Sequence, residues 1–341
     1  MKVDLLIVGG GPIGLAAAIE ARLAGWEVVV VEPRTAPIDK ACGEGLMPGT
    51  LRALRRLGVE PEGHVLRGIS YRAGGTTADH AFRDGLGRGV RRTTLHAALH
   101  RRAAELGVLQ LAYRVADLEV HADGVQAAGV QARWLLGCDG LHSTVRRLCG
   151  LDARPSRASA SRRRFGLRQH YRLPAWTDLV EVYWSPVAEA YVTPVRDDLV
   201  GVALLGRARM DPARILATLP ELAGHLRDVP PAGPVLGAGP LRQRTRARTA
   251  GPVRLVGDAS GYVDALTGDG LRVGLAQARA AVATLADPRA YERAWRSVTR
   301  DYRVLTAGLV AWANSPLRSA IVPVARRMPN LYGSVVERLA R

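Results

Sequence analysis

The tightest constraint on this chain is a run of glycines that follows a short apolar stretch. Residues 3–18 read VDLLIVGGGPIGLAAA. A β-branched and leucine-rich strand stops at the glycines, and an alanine-rich helical run follows. Gly9, Gly11 and Gly14 keep the G-x-G-x-x-G spacing. Gly9 allows the tight turn out of the strand, Gly11 lets the backbone approach a pyrophosphate, and Gly14 lets the helix lie against the strand. The helix opens at Pro12 and Ile13, aiming its free N–H groups and positive dipole end at the phosphates.

The context of the fingerprint agrees with this reading. A second strand, Trp26–Val31, ends in Glu32, about 20 residues further on, where a carboxylate holds ribose hydroxyls. A carboxylate favours an adenosine ribose with a free 2′-hydroxyl, as in FAD or NAD. Pro33 and Arg34 follow it.

Composition narrows the partners. A chain of 341 residues can bury a large core, with one domain plus a smaller companion as the natural division. The net charge of +17 invites a nucleic-acid reading. Yet Lys2 and Lys40 are the only lysines, so the charge is arginine in an alanine- and glycine-rich chain. That is the bias of a GC-rich coding sequence. No basic stretch is interleaved with stacking aromatics, so nucleic acid is not expected as a partner. Cys42, Cys138 and Cys149 form no C-x-x-C pair and are odd in number. Neither a disulfide framework nor a metal site is expected, and a reducing cytoplasm is the simplest compartment. The apolar N-terminus superficially resembles a signal peptide, but the glycine fingerprint explains it and no cleavage region follows. No apolar run reaches the ~18 residues of a membrane-spanning helix.

Along the chain, the spacing of leucines predicts a helix over Leu51–Leu57, and Ile69–Arg83 reads as a strand pair around Gly74-Gly75. Gly85–Gly89 reads as a loop. A helix from Arg91 to Glu105 follows, then strands at Tyr113–His121, Gly124–Gln131 and Trp134–Gly140, and a helix starting in Leu141–Leu148. Arg162–Leu173, Leu179–Trp184, Ala190–Val195 and Leu199–Leu205 are four successive strand-like runs, which argue for an antiparallel sheet. Asp211–Leu226 reads as helical and Val229–Pro240 as a loop. Strand–helix alternation then returns, with a strand at Val253–Val256 and a helix over Leu271–Leu285. Tyr291–Arg341 is mostly helical, with breaks near Pro316 and Pro329. An α/β unit is thus interrupted by a β-rich insertion and then completed, which places a crevice between them.

Three separated stretches line up with a known pattern: Gly9–Gly14 with Glu32, then GCDGLHSTVR at 137–146, then Gly257-Asp258 with Thr267-Gly268-Asp269-Gly270. Together they resemble the signatures of the FAD-dependent group A (para-hydroxybenzoate-hydroxylase-like) monooxygenases and their geranylgeranyl-reductase-like relatives. The resemblance implies an α/β fold: a Rossmann-like FAD-binding domain of the glutathione-reductase type, an inserted antiparallel β-sheet substrate domain and C-terminal helices. Residues 1–66, 90–155 and 251–290 would form the discontinuous FAD-binding domain. Residues 67–89 and 156–250 would form the substrate domain, and 291–341 the C-terminal helical segment.

The resemblance also assigns roles. Glu32 would bind the adenosine ribose, Arg92 would reach the pyrophosphate or adenosine side, and Val115 would touch adenine through its backbone. Asp258 would hold the ribityl chain, and Asp139 would sit near both FAD and the nicotinamide nucleotide, with Arg146 fixing its loop. Gly268, Asp269 and Gly270 open a helix whose N–H groups would face the flavin N1 and O2 edge, where reduced flavin is negative. Cys42-Gly43-Glu44-Gly45-Leu46 resembles the C-G-x-G-[LM] loop of the geranylgeranyl-reductase-like branch, beside the flavin ring. Glu44 is a candidate substrate-facing acid or base there, against a solvated loop carboxylate, and Tyr191 is a second catalytic candidate. Tyr171, Tyr183, Trp184 and Tyr191 could face the substrate or pack the sheet. His142 and His170 read as polar surface or loop histidines. The aromatic Y-x-W-x-F-P motif of the prenyl reductases is reduced here to Tyr191-Val192-Thr193-Pro194.

The implied activity is a FAD-dependent monooxygenase, using NADPH or NADH and O2 to hydroxylate or epoxidise a hydrophobic aromatic or polyene through a C4a-hydroperoxyflavin. The alternative is a reductase of isoprenoid double bonds; a third reading is a FAD binder without turnover. Apolar residues among arginines in the C-terminal part, such as Trp312, Leu317, Ile321 and Leu331, would suit either packing over the FAD domain or peripheral contact with a membrane surface.

Overall fold

The computed structural model describes residues 1–121, 123–153 and 163–341. Arg162, where the first strand of the insertion is expected to begin, and the boundary at 155–156 lie outside the described residues. The organising strand is Lys2–Val8. It is flanked on both sides by parallel partners, Val130–Gly137 and Val28–Val31, with Val253–Leu255 and Leu109–Leu111 further out. Leu5, Leu6 and Ile7 are fully buried, as expected of a parallel strand covered on both faces. The helix Pro12–Leu23 buries Leu15, the alanines 16–18 and Ile19. Gly274 lets the helix Gly270–Ala283 come close to it: a Cβ on Gly274 would lie 2.5 Å from Ile13 Cδ1.

The second sheet has seven strands in the order Leu236–Ala238, Arg164–Tyr171, Leu199–Arg207, Ala188–Arg196, Leu179–Trp184, Gly68–Ala73 and Thr76–Ala81. It is antiparallel except where Gly68–Ala73 joins Leu179–Trp184 in parallel. That exception arises because the 68–81 hairpin arrives from a distant part of the chain. The period-2 alternation sends Val180, Val182 and Trp184 to one face and Tyr183 to the other. The Tyr183 face is covered by the short helices Pro212–Ala217 and Pro220–His225. These replace the single helix expected over Asp211–Leu226, because Pro220 cannot continue a helix and starts a new one.

Three further expectations change. Val229–Pro240 is not all loop: Leu236–Ala238 pairs antiparallel with Arg164–Tyr171 at the edge of the sheet. Gly85–Gly89 is not only a loop: Gly87–Gly89 is the middle strand of a three-stranded sheet with Gly45–Leu46 and His64–Leu66. Glycine is needed there, since a Cβ on Gly89 would meet the Pro194 carbonyl at 1.7 Å. The strand expected over Tyr113–His121 shortens to Glu119–Val120, because its earlier residues pair with no strand among the described residues.

The C-terminal part is helical: Pro288–Ala313, a 3₁₀ turn at Pro316–Ala320, Ile321–Arg327 and Pro329–Ala340. Asp287 caps the long helix by accepting from the N–H groups of Arg289 and Ala290. Ile321, Val322, Val336 and Leu339 are buried, each contributing about 1.5–3 kcal/mol. These helices cover the face of the antiparallel sheet that the Pro212–His225 pair leaves open. No helix among the described residues is long and apolar enough to cross a membrane.

Candidate cofactor and substrate site

A continuous cavity of about 900 Å³ runs from the C-terminal ends of the parallel strands to the antiparallel sheet and the C-terminal helices. Ligands of open α/β sheets bind at this end of the strands. Its polar half is lined by Gly9, Gly11, Pro12 and Ile13 at the first helix, and by Glu32, Pro33 and Arg34 after the second parallel strand. Cys42, Gly43 and Glu44 line it from the loop. Arg92, Val115 and Asp139 follow, then Gly257, Asp258, Gly268 and Gly270. Of the residues singled out for the cofactor, Gly14 and Asp269 do not line it. Gly14 packs against Gly9, and Asp269 is the buried residue before the Gly270–Ala283 helix.

The groove suits an adenine dinucleotide. The first helix begins at Gly11 with no side-chain cap, so its N–H groups are free for phosphate oxygens. A Cβ on Gly11 would have only Arg92 Nη2, at 3.9 Å, as a neighbour, so the backbone there is bare toward the cavity. The Gly270–Ala283 helix likewise starts without a side-chain cap and offers the positive end that a reduced flavin edge requires.

The charges around this groove are set by short contacts. The Glu32 carboxylate accepts the Gly10 N–H at 3.0 Å and the Arg34 guanidinium at 2.8 and 2.9 Å. Burial works against its charge, but the Arg34 bonds prevail and hold it below the usual carboxylate range. His96 donates from Nε2 to the Gly10 carbonyl at 2.9 Å, fixing the same turn from the other side. Asp139 is pushed up by burial, although Ser143 Oγ (2.6 Å) and the Val145 N–H (3.0 Å) donate to it. Burial also raises Asp258, with Lys40 and Arg92 acting in the opposite sense.

Asp269 carries the clearest pH dependence. Its carboxyl is pushed up to about 7 by burial, against the pull of Arg272, whose Nε lies 3.4 Å from Oδ1. Among the described residues Oδ2 has no hydrogen-bond partner. The folded chain therefore keeps a proton that the unfolded chain releases near pH 4, and stability falls as pH rises from about 4 to 7. At about 1.4 kcal/mol per unit, the effect is a few kcal/mol. Urea unfolding of the wild type and Asp269→Asn at pH 5 and pH 8 checks this. The wild type is expected to lose stability relative to the variant at pH 8, and an unchanged difference would remove Asp269 as the cause.

The other half of the cavity is apolar, walled by Ile69, Val180, Val182, Leu205, Leu241 and Leu266 and by Trp312, Ile321 and Val336 from the C-terminal helices. Tyr191 reaches this wall and donates its hydroxyl to the Leu266 carbonyl at 2.6 Å. Tyr171, Tyr183 and Trp184 instead pack in the cores on either side of the sheet. Tyr71 and Tyr262 line the cavity and were not among the sequence candidates. So does Lys40, whose signal was its being one of only two lysines in an arginine-rich chain.

Two expectations are corrected. Glu44 is 2 % exposed, so it is not a solvated loop carboxylate. His170 is also 2 % exposed and bonds to Glu44, 2.6 Å away. It is a core residue rather than a surface one, because strand Arg164–Tyr171 lies inside the sheet. His142 remains a loop residue that donates to the Gly239 carbonyl at 3.1 Å.

Comparison with known proteins agrees with this geometry. Residues 2–170 match the FAD binding domain family. Over 168 residues the chain is 36% identical to the 12-dehydrotetracycline 5-monooxygenase/anhydrotetracycline 6-monooxygenase of Streptomyces rimosus, a match covering 45% of this chain and 33% of that enzyme. The match thus spans about a third of that relative's length. Over 299 residues it is 28% identical to digeranylgeranylglycerophospholipid reductase 1 of Methanopyrus kandleri, covering 81% of this chain and 78% of that one. The fold superposes on a flavoprotein/dehydrogenase of Cytophaga hutchinsonii with a TM-score of 0.79 at 18% identity, covering 99% of this chain and 92% of that one. Residues 2–170 thus match a FAD binding domain, and the chain is similar in sequence both to a FAD-binding-type monooxygenase and to a geranylgeranyl-type reductase.

Proposed function

We propose that the chain is a FAD-dependent monooxygenase that takes reducing equivalents from NADPH or NADH and inserts one oxygen atom of O2 into a hydrophobic aromatic or polyene molecule. The observation that carries this is the continuity of the cavity, in which a groove suited to FAD opens directly into an apolar chamber. Bound FAD would supply the hydride acceptance and oxygen activation that side chains lack. Gly9–Ile13, Glu32, Arg92 and Asp258 would hold it, and the Gly270 helix terminus would stabilise negative charge at its edge. The chamber residues Val180, Val182, Leu205 and Trp312 would exclude water and orient the substrate. The sequence identity to a tetracycline-pathway monooxygenase supports the same reading.

The reductase of isoprenoid double bonds stays as a second reading, because the similarity to the Methanopyrus reductase runs beyond the FAD-binding part into the rest of the chain. One experiment separates the two. The FAD-loaded protein is given NADPH or NADH with a panel of polycyclic phenols, polyenes and isoprenoids under ¹⁸O2, and in parallel without oxygen. The monooxygenase reading expects one ¹⁸O atom in the product and no product without oxygen. A product that gains two hydrogens in the absence of oxygen would establish the reductase instead.

Entry of the substrate from a lipid surface is part of this proposal. Val304, Met328 and Leu331 line the cavity and are exposed by 66, 51 and 52 %, giving the mouth an apolar rim. Co-sedimentation with anionic vesicles is expected, and a protein that stays in the supernatant would remove the lipid route.

A further inference from the structure

Glu44 is built in a way that loop packing alone does not require. It has a φ of +60°, the left-handed region that costs a residue with a side chain on the order of 1 kcal/mol. Gly43 and Gly45 flank it and could have taken that conformation freely. The strained position instead carries a carboxylate, and the carboxylate is 2 % exposed.

Three parts of the molecule meet at this one side chain. Oε1 accepts the N–H of Arg92 at 2.9 Å. Arg92 opens the Arg92–Glu105 helix, whose own preceding residue provides no side-chain cap, so Glu44 caps that helix from a distant loop. Oε2 lies 2.6 Å from His170 Nε2 in the antiparallel sheet. Arg168 Nη1 is 3.0 Å from His170 Nδ1. A guanidinium only donates, so Nδ1 accepts and the ring proton sits on Nε2, pointing at Glu44. Arg168 Nε is 3.9 Å from Oε1, and Arg168 Nη2 also holds Asp39, at the start of the loop. The neighbouring strand leaves room for the carboxylate: a Cβ on Gly201 would sit 2.9 Å from Oε2. The loop backbone is held as well, with Thr193 Oγ1 donating to the Gly43 carbonyl at 2.8 Å and the Val90 N–H donating to the Glu44 carbonyl at 2.8 Å.

The sheet therefore contains a socket for one carboxylate, made by His170, Arg168 and Gly201, while Thr193 beside it holds the loop backbone at Gly43. The loop that delivers the plug lines the cavity at Lys40, Cys42 and Gly43. We propose that Glu44 is a positioning residue: seated in this socket, its carboxylate holds the 40–45 loop as a fixed wall against the bound cofactor and ties that wall to the helix bearing Arg92. The proposal rests on the FAD reading above. It also explains why the residue is a glutamate. Two donors, the Arg92 N–H and His170 Nε2–H, need two acceptor oxygens, and a glutamine offers one.

The test compares wild type, Glu44→Gln and Thr193→Val by visible-region circular dichroism of the bound flavin and by fluorescence titration with FAD. Far-ultraviolet circular dichroism serves as the folding control. Glu44→Gln is expected to weaken FAD binding about tenfold, the scale of one lost hydrogen bond to a charged group, and to change the flavin band shape. Thr193→Val keeps the carboxylate and is expected to alter the band shape with a smaller loss of affinity. A merely structural role would lower the thermal midpoint and leave both flavin readouts at wild-type values, and that result in Glu44→Gln overturns the proposal. If Glu44→Gln does not fold, an unchanged flavin band in Thr193→Val overturns it. A wild type that takes up no FAD removes the cofactor reading and this proposal together, whereas a wild type that binds FAD beside unchanged variants removes this proposal alone.

Discussion

Gly14→Ala is expected to leave no stably folded, flavin-binding protein, whereas Gly11→Ala is expected to fold normally and lose the cofactor. The two glycines are three residues apart in one fingerprint, but they meet different surroundings. A Cβ on Gly14 would lie 1.8 Å from the Gly9 carbonyl oxygen and 3.3 Å from Cys138 Cβ. Neither neighbour can yield easily. Gly9 is held at φ +104°, and its own missing Cβ would be 2.6 Å from the Cys138 carbonyl. The helix would have to lift off the central strand, and the cost is on the order of 3 kcal/mol or more, a large share of a domain's stability. Gly11 has φ −69° and ψ 174°, which alanine adopts without strain, and its methyl would find no atom closer than 3.9 Å. The methyl would instead occupy the strip of groove where a pyrophosphate approaches the backbone. Urea unfolding of both variants and FAD titration check this. Gly11→Ala should unfold within about 0.5 kcal/mol of wild type yet bind FAD at least tenfold more weakly. Wild-type affinity in Gly11→Ala would contradict the placement of the pyrophosphate, and wild-type stability in Gly14→Ala would contradict the packing.

The parts of this protein that could be read from its sequence are those set by local geometry. The strand, turn and helix over residues 2–23 were legible because glycine spacing, β-branched residues and Pro12 all report on the backbone within a few residues of themselves. The strand Leu179–Trp184 was legible down to its ends, since a short run of β-branched and aromatic residues marks a strand even where both faces are buried. The strand Gly87–Gly89 was hidden because glycine has low strand propensity, and its reason to be glycine lies in Pro194, far along the chain. Glu32 and the fingerprint glycines Gly9 and Gly11 line the groove where their local spacing puts them, whereas Asp258, which also lines it, was singled out by resemblance alone. The socket around Glu44 was not legible. Its carboxylate sits in a polar, glycine-rich stretch that looks solvated, and its partner His170 is 126 residues away. No periodicity links two such positions; only the fold does. The chamber wall is similar, because Tyr71, Tyr262 and Trp312 come from three distant segments, and each reads alone as ordinary packing.

Glu189→Ala is expected to destabilise the protein by about 3–5 kcal/mol, the cost of leaving a buried charge unpaired. Glu189 is fully buried. Arg164 Nη2 approaches its Oε2 at 2.6 Å and Arg318 Nη2 approaches its Oε1 at 2.7 Å. Arg164 Nε is 3.0 Å from Asp264 Oδ2, so two guanidinium groups face two carboxylates and the cluster is close to neutral. Its members come from the antiparallel sheet (Arg164, Glu189), from the loop before the Gly270 helix (Asp264) and from the C-terminal turn (Arg318). Removing Glu189 leaves Arg164 paired with Asp264 alone and Arg318 with no carboxylate partner, held by the carbonyls of Ser185 and Ala313 and by the Trp184 ring. That excess charge sits where the C-terminal helices meet the sheet, so the same change should loosen the covering of the chamber. Asp178→Ala is the comparison. Asp178 also has two partners, His64 at 2.9 Å and Arg67 at 3.3 Å, but its side chain is 51 % exposed. Water screens such pairs, and the loss should stay below about 1 kcal/mol. Denaturant unfolding of the two variants, with limited proteolysis mapped to residues 288–341, measures both effects. Early cleavage in Glu189→Ala but not in Asp178→Ala is the expected pattern. A Glu189→Ala protein within about 1 kcal/mol of wild type would mean that the desolvation cost of burying four charges had already offset their pairing. The apolar contacts of Ile321, Val322 and Val336 would then hold the C-terminal helices in place by themselves.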